Sequence, residues 1–155
     1  LPAARGTGTD ICATALSVAR RNAAFHDVSP RASFTYTRWV QDVTGSFDFV
    51  VSNPPYIPSA EIESLQPEVS LYDPHDALDG GSDGLEAFRE IVMSVERVLR
   101  PGGWLLFEVG AGQHDAVLGM LGSEHAGCTF GEVRTWRDLS RTVRCVGGKR
   151  SPTTK

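Results

Sequence analysis

The stretch that decides the fold is Phe47-Asp48-Phe49-Val50-Val51-Ser52-Asn53-Pro54-Pro55-Tyr56. Its first half is an apolar run of the kind that forms a strand buried on both faces of a parallel sheet. Two consecutive prolines then end the strand, because proline lacks an N–H group and fixes φ. We therefore predict a buried strand over 47–52 that leads into a stiff, extended loop.

The loop after this strand is rich in hydrogen-bond acceptors. The side-chain oxygen of Asn53 and the backbone carbonyl of Pro54 can each accept one N–H, and the prolines offer no N–H in return. Such a loop suits the binding of a planar –NH2 group. A stiff strand-to-loop turn without a ligand is the alternative interpretation.

Strands and helices alternate on both sides of this loop. We predict strands at 4–9, 32–37, 47–52, 104–109, 129–136 and 142–146, and helices at 12–26, 85–99 and 113–121. The turn Arg100-Pro101-Gly102-Gly103 is predicted to end the second helix. Residues 57–84, which are rich in Pro, Asp and Gly, are predicted to form a functional loop or lid. Its part over 73–84 is predicted to pack on the site rather than to supply catalytic residues.

This order of elements predicts an α/β fold with a mostly parallel sheet and an antiparallel C-terminal strand pair. Asp10, Asn53 and Glu108 each fall at or near the carboxyl end of a predicted strand. Ligands of parallel α/β sheets bind at that edge, so these three polar residues predict a site there. A basic C-terminal stretch that includes Arg134, Arg144 and Arg150 favours a solvated strand face over binding of RNA or a partner.

The composition is that of an ordinary globular domain. The 155 residues carry a formal net charge of −4, which argues against a general nucleic-acid binder. Three scattered cysteines without CxxC spacing indicate a reducing compartment and predict neither disulfides nor a metal site. No apolar run reaches the length of a membrane span, so we expect a cytoplasmic protein without membrane partners. One domain over 1–150 and a frayed tail over 151–155 are predicted.

Three stretches together resemble the HemK/PrmC family, the protein-glutamine N-methyltransferases that act on peptide chain release factors. They are Val51–Ile57, the Asp73–Leu85 segment with its Ala-Leu-Asp-Gly-Gly, and Glu108-Val109-Gly110-Ala111-Gly112-Gln113. The resemblance implies the Rossmann-like sheet of a class I methyltransferase, S-adenosylmethionine as cofactor and a release factor as protein substrate. Nucleic acid would then be an unlikely partner.

The resemblance also implies roles for individual residues. Asn53, Pro54, Pro55 and Tyr56 would bind the substrate amide and carry catalysis. Three residues would bind the cofactor: Asp10 through the ribose hydroxyls, Trp39 by stacking on the adenine, and Asn53.

Two departures from the family pattern qualify these implications. The family's first strand and its Gly-rich cofactor loop, Asp-x-Gly-x-Gly-x-Gly, have no counterpart in this sequence, and Arg38 stands where the family has an acidic residue that contacts the adenine amino group. If that strand lies between those ending at Asp10 and Asn53, its loss would expose two sheet edges and favour self-association. The alternatives are a nucleic-acid amino-methyltransferase and a non-catalytic, truncated remnant.

Overall fold

The computed structural model describes residues 2–123 and 128–152, and the chain forms two compact units, Leu1–Gly45 and Ser46–Lys155. The predicted frayed tail lies outside the described residues from 153 onward. Before that point, the N–H of Ser151 donates to the carbonyl of Thr129 over 2.8 Å. The prediction of one domain over 1–150 stays a prediction.

The first unit is a single strand–helix–strand motif. It contains β1 (Gly6–Asp10), α1 (Ala13–Phe25) and β2 (Ala32–Tyr36), and the two strands pair in parallel. Leu16 and Ala23, two turns apart on α1, are its buried helical residues. The N–H of Thr37 donates to the carbonyl of Asp10 over 3.1 Å, so the pairing extends to the end of β1.

The second unit is built on a four-stranded mixed sheet. Its strands are β3 (Phe47–Ser52), β4 (Leu99–Glu108), β5 (Phe130–Arg137) and β6 (Val143–Arg150), in the order β3-β4-β6-β5. β3 and β4 are parallel, whereas β6 runs antiparallel to both β4 and β5. The antiparallel C-terminal pair is therefore confirmed. β3 ends the order and is an edge strand, and self-association through such an edge stays a prediction.

Helices cover one face of this sheet. Two short helices, α2 (Pro67–Ser70) and α3 (His75–Leu78), lie within the predicted loop, and α4 (Glu86–Ser94) and α5 (His114–Gly122) follow. Phe88 of α4 meets Phe107 of β4 edge to face, with ring centroids 5.2 Å apart, and both side chains are fully buried. This aromatic pair lies at the centre of the core of the second unit.

The prediction that β3 is buried on both faces is wrong. Phe49 and Val51 expose 60% and 72% of their surface. Val51 pairs with Leu106, which points away from the face of Phe107 because side chains alternate along a strand. An apolar run alone does not reveal that a strand lies at the edge of a sheet with one face open.

The helix predicted over 85–99 is too long at its C-terminal end. α4 stops at Ser94, one 3-10 turn follows at Val95–Arg97, and β4 has begun by Leu99. The reason is tertiary: the carbonyl of Val98 accepts the N–H of Phe47 over 2.7 Å, so the chain joins the sheet. The Arg-Pro-Gly-Gly turn, predicted to end the helix, lies instead inside β4, where the register with β3 shifts.

The basic C-terminal stretch is not a purely solvated strand face. Arg150 is mostly buried and donates to the carbonyls of Glu96 (2.8 Å) and Leu99 and to the Glu96 carboxylate (3.0 Å). It thereby satisfies carbonyls at the end of the helical segment before β4. Arg134 lies over the ring of Trp104, which meets Trp136 at a centroid distance of 6.1 Å and an interplanar angle of 67°.

Within the described residues, no helix has the length and apolar character needed to cross a bilayer. The same residues contain no group of three or more His, Cys, Asp or Glu side chains arranged to hold a metal ion.

Candidate functional site

The loop after β3 forms one side of a pocket in the second unit. The pocket has a volume of about 190 Å³ and is lined by residues 53–57 and 77–78. Its lining is mostly apolar, with Asn53 as the polar exception and the Tyr56 ring as the aromatic one. Small sites of this kind use a few polar groups to orient a ligand within apolar walls.

The acceptors of the loop are available. Asn53 is exposed and Pro54 is buried. In residues 2–123 and 128–152, no hydrogen bond engages the Asn53 side chain or the Pro54 carbonyl. Consecutive residues of the pocket lining thus carry two acceptors without partners there, the number that the two N–H groups of one –NH2 group would need.

The opposite side of the pocket is joined to this loop through the backbone. The N–H of Ile57 donates to the carbonyl of Leu78 over 3.0 Å, and the N–H of Gly80 donates to the carbonyl of Ile57 over 2.8 Å. α3 is thereby held against the loop. Residues 77–80 of the segment 73–84 thus contact the loop, and packing of this segment on a functional site stays a prediction.

Asp79 stabilises this connection. Its Oδ1 accepts the Ser59 hydroxyl at 2.6 Å and the Gly81 N–H at 2.9 Å. The hydrogen bond from Ser59, and then the one from Gly81, hold the pKa of Asp79 below its ordinary value. Through these two hydrogen bonds the Asp79 carboxylate stabilises the conformation of the loop.

Tyr56 has a charged neighbour that the sequence did not reveal. The Arg144 guanidinium lies 5.9 Å from the Tyr56 ring centroid, 3.5 Å from its hydroxyl, and 3.3 Å from Oε1 of Glu108. The Tyr56 hydrogen bond is the main reason that the pKa of Arg144 is raised. Glu108, predicted near the site, reaches Tyr56 through this arginine. The pairing of β4 with β6 creates the contact, and no sequence motif signals it.

Gln113 is a second residue that the predicted site omitted. Its Nε2 donates to the Tyr56 carbonyl at 2.9 Å, and its Oε1 accepts the Gly110 N–H at 3.0 Å. The signal was present in the Glu-x-Gly-x-x-Gln stretch that ends at Gln113. The stretch supports the resemblance, but its local sequence does not indicate a role for the glutamine.

The two predicted cofactor residues outside the loop belong to the first unit. Asp10 Oδ1 accepts the N–H of Cys12 at 2.7 Å, and this bond closes a turn rather than capping α1. Trp39 is half-buried, has a φ of +51°, and carries the Arg38 guanidinium 5.5 Å from its ring centroid. A positive φ in a bulky residue costs on the order of 1 kcal/mol and is frequent at functional sites.

Comparisons with known proteins agree on the class of this chain. A family model described as the methyltransferase small domain matches residues 1–66. The release factor glutamine methyltransferase of Caulobacter vibrioides is 47% identical over 152 residues, which are 97% of this chain and 51% of the relative. Over nearly its whole length, this chain is similar to release factor glutamine methyltransferases.

A second relative and a solved structure extend this result. The release factor glutamine methyltransferase of Rhodospirillum rubrum is 45% identical over 96% of this chain and 45% of its own length. The chain thus spans about half the length of the curated relatives it matches. A crystal structure of a methyltransferase from Pyrococcus furiosus aligns with a TM-score of 0.62 at 15% identity, covering 96% of this chain and 64% of that one. That likeness supports the class I methyltransferase fold alone.

Within this methyltransferase family fold, Gly84 is a position where a side chain cannot fit. Its φ is +73°, and a Cβ would lie 2.4 Å from the Tyr56 carbonyl oxygen. We expect Gly84→Ala to lower the free energy of unfolding by about 2 kcal/mol, because strain and overlap add. Chemical denaturation measures this loss. The control is Gly119→Ala in α5, where a Cβ meets nothing within 4 Å and helix propensity favours alanine. Equal stabilities of the two variants would contradict the prediction.

Proposed function

We propose that the protein transfers a methyl group from S-adenosylmethionine to the side-chain amide nitrogen of a glutamine in a peptide chain release factor. The observation that carries this proposal is the pair of unpartnered acceptors, the Asn53 side chain and the Pro54 carbonyl, beside a mostly apolar pocket. The names of the curated relatives support the choice of substrate. The location that we propose is the cytoplasm.

The loop would act by positioning and by electrostatics. An amide nitrogen is a poor nucleophile, because its lone pair is delocalised into the carbonyl. The Asn53 oxygen and the Pro54 carbonyl would each accept one N–H, which aims the lone pair and stabilises positive charge developing on nitrogen. The Tyr56 ring would pack on the planar amide, and Arg144 would hold that ring in place.

When bound, S-adenosylmethionine supplies an electrophilic methyl group on a sulfonium. Methyl transfer would leave the amide nitrogen with one proton to lose. Residues 53–57 and 77–78 include no carboxylate or imidazole, so none of these side chains would take that proton as a general base. The lining therefore serves binding and orientation rather than general-base catalysis.

Asp10 and Trp39, both in the first unit, would contact the cofactor. Oδ1 of Asp10 is engaged by Cys12, and its second carboxylate oxygen suits ribose hydroxyls. The Trp39 ring suits stacking on the adenine. Arg38 cannot accept a hydrogen bond from the adenine amino group, so recognition of the base would rest on stacking.

A labelled-methyl assay tests the proposal. We expect label on a release factor, and none on the same factor with its acceptor glutamine replaced by glutamate. Label on DNA or RNA in place of the release factor would instead support a nucleic-acid amino-methyltransferase. No transfer, together with no heat on calorimetric titration with S-adenosylmethionine up to millimolar concentration, would support a non-catalytic chain.

A further inference from the structure

We propose that Gln113 is a positioning residue that fixes the loop over 53–57 in its substrate-binding conformation. This inference rests on the proposed function. Nε2 of Gln113 donates to the carbonyls of Tyr56 (2.9 Å) and Gly84 (3.2 Å), and its Oε1 accepts the N–H of Gly110 (3.0 Å). One carboxamide thus joins three separate loops: the one after β3, the one before α4 and the one after β4.

The packing around the carboxamide leaves little room for these loops to shift. A Cβ at Gly110 would lie 2.6 Å from Oε1 of Gln113 and 3.0 Å from the Tyr56 ring. A Cβ at Gly80 would lie 2.8 Å from the Tyr56 Cα. Both glycines are buried, as is Gly84. Backbone approaches this close are available only to glycine, and they bring the loops within reach of a single side chain.

The chemistry of the contacts selects glutamine. Two carbonyls need donors, and one N–H needs an acceptor, so only a carboxamide serves all three. A carboxylate would keep the bond from Gly110 but would face two carbonyl oxygens without a donor. A methionine would fill similar space and make none of the bonds. Since Gln113 is half-buried, groups left without partners there are only partly compensated by water.

Gln113 acts on the reaction through Tyr56. The Tyr56 carbonyl that it holds belongs to the same loop as Asn53 and Pro54, and the next N–H along the chain, that of Ile57, is bonded to Leu78. Hydrogen bonds on both sides of the Tyr56–Ile57 peptide unit therefore fix the loop that would bind the substrate amide. A displacement of about 1 Å in the groups that position a substrate can lower the rate about a hundredfold.

The test compares Gln113→Glu with Gln113→Met, with Gln66→Glu as the control at an exposed glutamine. At about pH 8 we expect both Gln113 variants to lower kcat about tenfold or more, with the KM for S-adenosylmethionine within about twofold. The defect of Gln113→Glu should shrink as the pH falls toward about 5, because a protonated carboxyl regains one donor for the Tyr56 carbonyl. The defect of Gln113→Met should not respond to pH in this way.

Amide hydrogen exchange gives a readout that needs no activity. The Ile57 N–H should exchange faster in both variants, since both release the neighbouring Tyr56 carbonyl. The Gly110 N–H should exchange faster in Gln113→Met but stay protected in Gln113→Glu, which keeps its acceptor.

The possible results separate this inference from the proposed function. Exchange at Ile57 and kcat both equal to those of the unsubstituted protein would overturn the positioning role. The expected exchange pattern without methyl transfer in any variant, including the unsubstituted protein, would support the positioning role and count against the proposed function. If Gln113→Glu does not fold, the neutral Gln113→Met variant decides through its exchange at Ile57 and its kcat.

Discussion

Asn53→Ala is expected to lower the rate constant of methyl transfer about a hundredfold, the usual cost of removing one preorganised hydrogen-bonding group from an active site. Alanine removes the side-chain oxygen that would accept one N–H of the substrate amide. The Pro54 carbonyl then has to orient the nitrogen alone, and the charge developing on nitrogen loses one of its two stabilising dipoles. Single-turnover transfer of labelled methyl groups measures this rate.

Two further variants sharpen the Asn53 experiment. Asn53→Asp keeps an acceptor oxygen at the same position and should retain more of the rate than Asn53→Ala. Asn22→Ala removes an exposed carboxamide from α1 and is the matched control. A rate for Asn53→Ala within about twofold of the unsubstituted protein would show that the loop does not grip the substrate as proposed.

Phe107→Ala is expected to lower the free energy of unfolding by about 3–5 kcal/mol, the range for deleting a fully buried aromatic ring. Phe107 has no exposed surface and packs edge to face on Phe88 across the interface between β4 and α4. Its loss leaves a cavity and removes the partner of a second aromatic ring. Unfolding in urea, followed by circular dichroism, measures the change.

Leu139 provides the control for Phe107. It is fully exposed in the turn between β5 and β6, so Leu139→Ala should change the stability by less than about 0.5 kcal/mol. Phe107→Leu should lose less than Phe107→Ala and remains measurable if the alanine variant does not fold. A loss below about 1 kcal/mol for Phe107→Ala would mean that the core of the second unit does not depend on this ring.

Local sequence was sufficient for most of the fold. The apolar run at Phe47–Ser52 and the C-terminal strand pair correspond to signals within a few residues, and their elements are found close to where they were predicted. The boundary near Val98 was missed because it is set by a hydrogen bond to Phe47, about fifty residues away in the chain. The exposure of β3 was missed because it depends on strand order.

The site was predictable only where a motif marks it. Asn53 and the prolines stand out because an amide followed by two prolines at a strand end is chemically unusual. Arg144 does not stand out, because an arginine in a final strand has no distinctive local pattern, and its position beside Tyr56 arises from the pairing of β6 with β4. Gln113 is intermediate between these cases. Its motif is visible in the sequence, but its role can be inferred only from the structure, in which three loops meet at its side chain.

The Trp104–Trp136 contact gives the second unit an optical signature of its own. Two indoles held at a fixed angle across neighbouring strands couple their electronic transitions, which yields a circular dichroism signal that vanishes once the sheet comes apart. Trp39 is the remaining tryptophan of the chain and belongs to the first unit, so its emission reports on that unit when both partners of the pair are replaced by phenylalanine. The chain thus carries a separate, label-free spectroscopic reporter for each of the two units. Circular dichroism and tryptophan fluorescence can therefore follow the order in which the two units unfold.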